Sequence, residues 1–405
     1  MGRGVILLAN TAPVAGKTAR RDELKADYAK ARSIIVLLPF LLNLVASGRG
    51  YQSPEIGTIS QPFQTIHLSD LGYRPAERWR GKDVPSDLTL LYDDPITRLT
   101  FINDETLVVY LSHHQPPSQM GSADSQNMEA FFLNTGSGSL ISRATWATRK
   151  RRWLNDRWDT QGRILAVHGG FLVHAGNALL LYSEDEKKKV ELALDPAELW
   201  AAVVAPMGRT IHVQRIDGSN AEGEWLASDT LTKLQSQHEV PGITSASDHA
   251  VVTKLAHCIQ LQAVGEPPRG LCCSDPCRLG LPEFLNDTEV LSVEPNGFEV
   301  LSREGQVLWS RETAGAGNRI MAAHKRALEG NRFAVSISGG HHTVFDQVSV
   351  PNEQFAILVY DRLRRAQVFR LGLTSSGPGD FDLSPDGSML AVLVGDTVQL
   401  YKIPL

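Results

Sequence analysis

Three thiols lie within six residues at Cys272-Cys273-Ser274-Asp275-Pro276-Cys277, and Cys258 is the fourth cysteine of the chain. In an oxidising compartment such a cluster is expected to form a disulfide. Cys277 with Cys272 or Cys273 would staple the turn at Asp275-Pro276, while Cys258 and the remaining neighbour pair or stay reduced. Cys-x-x-Cys spacing is absent, so a structural staple is expected in place of a redox or zinc site. A second group, Arg149-Lys150-Arg151-Arg152-Trp153-Leu154-Asn155-Asp156-Arg157-Trp158, sets cations beside two indoles and could stack on bases, sugars or a partner's side chains. Its competing role is packing: Trp153 and Trp158 would fill gaps between repeats while the charges face water. The pairs His113-His114 and His341-His342 offer imidazoles. Adjacent residues in an extended segment point opposite ways, so these are expected as exposed loop histidines and no metal site is expected. Gly16-Lys17-Thr18 ends like a phosphate-binding loop, yet the Gly required five positions before Gly16 is Thr11, and no nucleotide site is expected.

What must position these groups begins with composition. Of 405 residues, 42% are hydrophobic and 21% charged, enough to bury a large core. A formal net charge of −5 lacks the basicity of a protein that coats nucleic acid. With 34 Gly and 21 Pro, collagen-like and low-complexity classes are excluded, and 4 Cys are too few for a disulfide scaffold. The uncharged apolar run Ile34 to Ala46 follows Lys25, Lys30 and Arg32 and precedes Ser47-Gly48. It is shorter than the roughly 18 to 20 residues of a membrane span and carries Pro39 and Asn43, so it reads as a signal peptide cleaved near Ala46 to Gly48. The expectation is export to a periplasmic or secreted location, without stable membrane insertion after cleavage. Residues 1–48 form the extension and signal peptide, 49–62 a linker and 63–405 one domain. The long stretch before the apolar run suggests a translation start downstream of Met1.

From residue 60 onward, short β-rich runs alternate with Asn, Asp and Gly turns, and only Asp195-Pro196-Ala197-Glu198 suggests a helical turn. Phe101-Ile102-Asn103-Asp104-Glu105-Thr106-Leu107-Val108 parallels Phe284-Leu285-Asn286-Asp287-Thr288-Glu289-Val290-Leu291; both read as hairpins. Phe381 to Val392 is a third version, reversed by Pro385-Asp386-Gly387. Taking each hairpin as strands A and B of a four-stranded unit, A strands begin near Arg98, Arg163, Leu199, Gly242, Gly280, Asn318 and Gly379. Most intervals match the roughly 40 to 45 residues of a propeller blade. Polar insertions at 113–128 and 338–353 account for the longer intervals. The last unit ends after its C strand at Tyr401, and Phe63-Gln64-Thr65-Ile66-His67-Leu68 is an orphan strand; pairing the two closes a ring and removes a sheet edge. The fold expected is an all-β propeller of seven blades, with six or eight as alternatives and a two-sheet sandwich as the competing architecture.

The 382–392 stretch Asp-Leu-Ser-Pro-Asp-Gly-Ser-Met-Leu-Ala-Val and the Phe-Ile/Leu-Asn-Asp hairpins resemble WD40-like and YVTN-type bacterial propellers, most nearly the exported propellers of acidobacteria. The resemblance covers about residues 60–405 and implies a fold, not an activity. It departs from the strict pattern at Trp158-Asp159, a Trp-Asp pair in an expected loop and not at the end of a C strand. In such a blade the B–C and D–A loops share one face. That face would carry His113, His114, Arg149, Arg151, Arg152, Trp153, Arg157, Trp158, His341 and His342, together with the cysteine segment 271–279. The function expected is an exported, monomeric, non-catalytic binding or scaffolding module, without a cofactor, whose partner is a protein or small ligand and not nucleic acid. A quinone-dependent oxidoreductase or a glycan-active hydrolase is the enzyme alternative. Gly305-Gln306-Val307-Leu308-Trp309 is similar to quinone-enzyme blade repeats, though that pattern does not recur. A hydrolase would need a carboxylate pair that only the fold can place, and no Gly-x-Ser-x-Gly elbow is present.

Overall fold

Within a repeat, burial falls from the second strand to the outermost, as from Gly170–Ala175 through Ala178–Ser183 to Lys188–Ala193. Gly170–Ala175 is buried along its whole length, as are Ala250 to Thr253, because sheets cover both of their faces. Lys188–Ala193 and Val307–Glu312 keep mostly half-buried or exposed residues, the pattern of an outer strand with one side toward water. The computed structural model describes residues 61–73, 97–115, 124–151, 162–195, 200–215, 221–239, 243–255, 258–272, 282–294, 297–312, 319–338, 355–373 and 378–404. These belong to a compact unit, Gly57–Leu405. The expected signal peptide lies outside the described residues, as does the linker apart from residues 61 and 62.

The described strands form seven four-stranded antiparallel sheets. Their A strands are Arg98–Phe101, Arg163–Val167, Trp200–Val204, Ile243–Ala246, Pro282–Phe284, Arg319–Arg326 and Asp380–Leu383, defining blades 1 to 7. Each starts within two residues of the start read from the sequence. Residues of all seven A strands line one central cavity, which makes A the innermost strand. Seven buried apolar clusters lie one at each seam between successive blades. Among the described residues the blade 3–4 cluster is the smallest, with Trp225, Ala246 and Val251. Polar contacts supplement it: Trp225 Nε1 donates to the Ser247 carbonyl at 2.9 Å, and Gln262 Nε2 to the His238 carbonyl at 2.9 Å.

The ring closes as expected. Gln64–His67 is the fourth strand of blade 7, antiparallel to Thr397–Lys402, with Thr65 opposite Gln399 and Ile66 opposite Val398. Phe63 N–H donates to the Leu400 carbonyl and Leu68 N–H to the Asp396 carbonyl, each at 2.9 Å. Ile66 and Leu68 enter the blade 7–1 core.

The A–B turns owe their shape to side chains acting as local acceptors. Asn103 Oδ1 accepts the Glu105 N–H at 3.0 Å, Asn286 Oδ1 the Thr288 N–H at 2.7 Å, and Asp386 Oδ1 the Ser388 N–H at 2.8 Å. Among the described residues, two short 3-10 turns, Leu68–Leu71 and Pro206–Gly208, occur where the sequence shows no helical signal. Of the expected helical turn only Asp195 is described.

The expected loop at 113–128 is partly strand. Blade 1 strands B and C run Thr106–Gln115 and Asp124–Asn134, so His113 and His114 are strand residues opposite Asn127 and Gln126. Backbone pairing continues past the apolar core, where polar side chains conceal the strand from a hydrophobicity reading. Strand D of blade 1, Leu140–Arg151, likewise takes in Arg149, Lys150 and Arg151.

Candidate functional site

The innermost strand of a propeller blade has no neighbour on its inner edge, so its unpaired backbone groups need partners. Here side chains of the adjoining blade supply several. Asp380 Oδ2 and Asp382 Oδ2 of blade 7 accept the N–H groups of Leu99 and Phe101 of blade 1, each at 2.9 Å. Ser245 Oγ of blade 4 accepts the Phe284 N–H of blade 5 at 3.1 Å. Thr100 Oγ1 of blade 1 donates to the Leu99 carbonyl at 2.8 Å and also lies 3.3 Å from the Ile164 carbonyl of blade 2.

Counting back from the A–B turn, equivalent positions form one rung around the channel: Thr100, Leu165, Val203, Ser245, Glu283, Lys325 and Asp382. All line the cavity, whose volume is about 220 Å³. At this rung the wall is two-sided, apolar at blades 2 and 3 and polar or charged from blade 4 round to blade 1, and Arg163 of blade 2 adds a cation beside the apolar part. Sequence reading missed this rung because its members differ in type; the usable signal was their fixed distance from the turn in each repeat.

The charges are organised across the ring. Arg326 Nε lies 3.3 Å from Glu283 Oε1 of blade 5, and its Nη2 donates to the Val204 carbonyl of blade 3 at 2.7 Å, so one side chain ties three blades together. Lys325 Nζ lies 3.9 Å from Asp380 Oδ1, an ion pair too long for a hydrogen bond. Burial pushes the Asp382 carboxyl up to about 6, against the pull of Lys325 and the Phe101 N–H. Burial, with Arg163 adding to it, holds His174 down at about 4.

These shifts have opposite consequences for stability. Asp382 favours the folded chain at low pH, and that contribution is lost as pH rises from about 4 through about 6. His174 stays neutral when folded, so its cost appears as pH falls from about 6.5 toward 4. Asp382→Asn retains an oxygen for the Phe101 N–H and removes the charge. Relative to the unsubstituted protein it should gain at most about 3 kcal/mol between pH 4 and pH 7.5. Urea unfolding at both pH values checks this, with His174 cancelling in the difference; a pH-independent difference would contradict it.

The A–B-turn end of the channel is bridged. Met207 N–H of the blade 3 turn donates to the Leu328 carbonyl of the blade 6 turn at 3.1 Å, and Leu328 and Pro385 both line the cavity. Around the same end, His168 N–H donates to the Gly208 carbonyl at 2.9 Å and Glu329 N–H to the Pro385 carbonyl at 2.8 Å. Met207 adopts φ of 69°, an uncommon conformation held by this crossing. At Gly208, with φ of +67°, an added Cβ would lie 2.6 Å from the His168 nitrogen, so the turn approaches blade 2 as only glycine allows.

The strand order sends the B–C and D–A connections to the opposite end. His113, His114, Arg149 and Arg151 are placed on strands leading there, and Cys272 ends the blade 4 D strand Arg269–Cys272. Arg152, Trp153, Arg157, Trp158, His341, His342, Cys273 and Cys277 lie outside the described residues. Cys258, half-buried at the start of Cys258–Ala263, is disulfide-bonded and its neighbour Ile259 pairs with Cys272. The partner sulfur is not among the described side chains. No helix among the described residues is long and apolar enough to cross a membrane.

No protein-family model and no curated protein matches the chain. Among solved structures, the C-terminal WD40 domain of Sif2 is 13% identical over 77% of this chain and 96% of that one, with a TM-score of 0.42. KlHsv2 with loop 6CD replaced by a Gly-Ser linker is 10% identical over 76% of this chain and 99% of that one, with a TM-score of 0.44. The seven-bladed architecture of the chain rests on its own strand ladders.

Proposed function

We propose that this chain is an exported, non-catalytic binding or scaffolding propeller that engages its partner through the face where the B–C and D–A connections emerge. The observation carrying this reading is the asymmetry of the two ends. Turns of blades 3 and 6 meet across the A–B end, with blades 2 and 7 joined to them, and those backbone groups are engaged in holding the ring. The other end is where the long connections leave a rigid frame, the arrangement by which scaffolds present variable binding residues. Asp380 and Asp382 bear on the enzyme alternative. Each holds a blade 1 N–H, so the channel carboxylates have structural employment that favours binding over glycan hydrolysis. Periplasmic or secreted location follows from the apolar run and fits a disulfide at the cysteine cluster.

The test is affinity capture from an extracytoplasmic fraction with three forms of the protein: unsubstituted, Trp153→Ala/Trp158→Ala, and Asp185→Ala/Lys187→Ala. The last alters an exposed ion pair in a C–D turn, at the opposite end of the blades. The tryptophan variant should recover roughly tenfold less partner, as expected when aromatic anchors are removed, and the C–D variant an unchanged amount. Unchanged recovery by a folded tryptophan variant would remove this face from the site.

A further inference from the structure

We propose that the central channel binds a small monocarboxylate with an apolar tail, its carboxylate held by Arg163 and Lys325 and its tail lying on the blade 2 and 3 wall. This is independent of the partner-binding face.

Among the described residues, five charged side chains line the cavity: Arg163, Glu283, Lys325, Arg326 and Asp382. Their pairing is unequal. Glu283 faces Arg326, and Asp382 holds the Phe101 N–H. Arg163 is exposed to the cavity and forms no hydrogen bond or ion pair with another described residue. Lys325 is a third exposed, and its nearest carboxylate oxygen, on Asp380, is 3.9 Å away. Two donor-bearing cations therefore face the cavity with hydrogen-bonding capacity to spare. An unpaired guanidinium presents a planar fork suited to a carboxylate, and an ammonium adds a second charge-assisted donor.

The rest of the wall selects what carries the charge. Leu165, Ala202 and Val203 cover the blade 2 and 3 side, and Leu328 contributes at the bridged end. A cavity of about 220 Å³ holds about seven waters at roughly 30 Å³ each, below the range of drug-sized pockets. That space suits a short or single-ring acid. A bare inorganic anion would leave the apolar side wet, and a neutral molecule would leave Arg163 without a charge partner among the described residues and Lys325 with only its long contact to Asp380.

Isothermal titration of the full chain with benzoate, benzamide and inorganic phosphate tests the proposal. Benzoate should bind saturably at one site per chain, and benzamide and phosphate at least tenfold more weakly. Arg163→Gln should reduce benzoate affinity roughly tenfold with an unchanged melting temperature, because Arg163 holds no described residue in place. Val203→Phe, which fills the apolar side, should abolish binding in a protein that still melts cooperatively. Absence of saturable benzoate binding, equal binding of benzamide or phosphate, or undiminished binding by either folded variant would overturn the assignment. A negative result here would leave partner capture by the loop face unaffected, so the two proposals fail separately.

Discussion

A chain beginning after Leu68 should lose reversible folding and aggregate, with a larger effect than any single surface substitution. The deletion removes the outer strand of blade 7 and leaves Thr397–Lys402 as an open edge with unpaired N–H and C=O groups. It also removes Ile66 and Leu68 from the blade 7–1 core, where they are 5% and 0% exposed. Burial of two such side chains contributes about 4 kcal/mol before the ladder hydrogen bonds are considered. That is comparable with the whole net stability of many domains. Leu68→Ala is the milder form, expected to cost about 3 kcal/mol by urea unfolding. Size-exclusion chromatography and thermal melting decide the outcome; a truncated chain that remained monomeric and melted like the full one would show that this strand does not close the ring.

Arg326→Leu should be the most damaging single substitution in the channel. It removes a donor 2.7 Å from the Val204 carbonyl and the cation 3.3 Å from Glu283, separating blades 3 and 5 from blade 6. Breaking a buried pair while leaving one charge costs about 3 kcal/mol or more. Arg326→Leu/Glu283→Leu should recover most of that loss, because an apolar pair needs no desolvation of charge. Denaturant midpoints of the single and double variants measure it. If the double variant were as unstable as the single one, the ion pair would not be the source of the cost.

The fold was readable because the blade is a local unit. The Asn103, Asn286 and Asp386 turns announce their hairpins within a dozen residues, and the apolar B strands follow at once. Closure was readable too, since one unpaired strand and one incomplete blade imply each other. His113 and His114 were misplaced because sheet pairing extends beyond the apolar core that marks a strand in sequence. The channel was hidden for a different reason. Asp382 meets Phe101 across 281 positions and Arg326 meets Val204 across 122, so no local pattern records either contact. The Met207–Leu328 bridge uses backbone groups, which carry no residue signature at all. The rung of channel residues becomes visible only once the repeats are aligned on their turns.

Ring closure by the strand Gln64–His67 sets the blade 7–1 seam, the closed channel and its two faces. Native-state hydrogen exchange of the intact chain tests it most directly, read at the Phe63 and Leu68 amides, which donate to the Leu400 and Asp396 carbonyls. A closed ring predicts that both amides exchange slowly, with protection close to that of Leu393 and Val398 in the same sheet. Exchange of Phe63 and Leu68 at the rate of an unstructured peptide, while Leu393 stays protected, would contradict a closed seven-bladed ring.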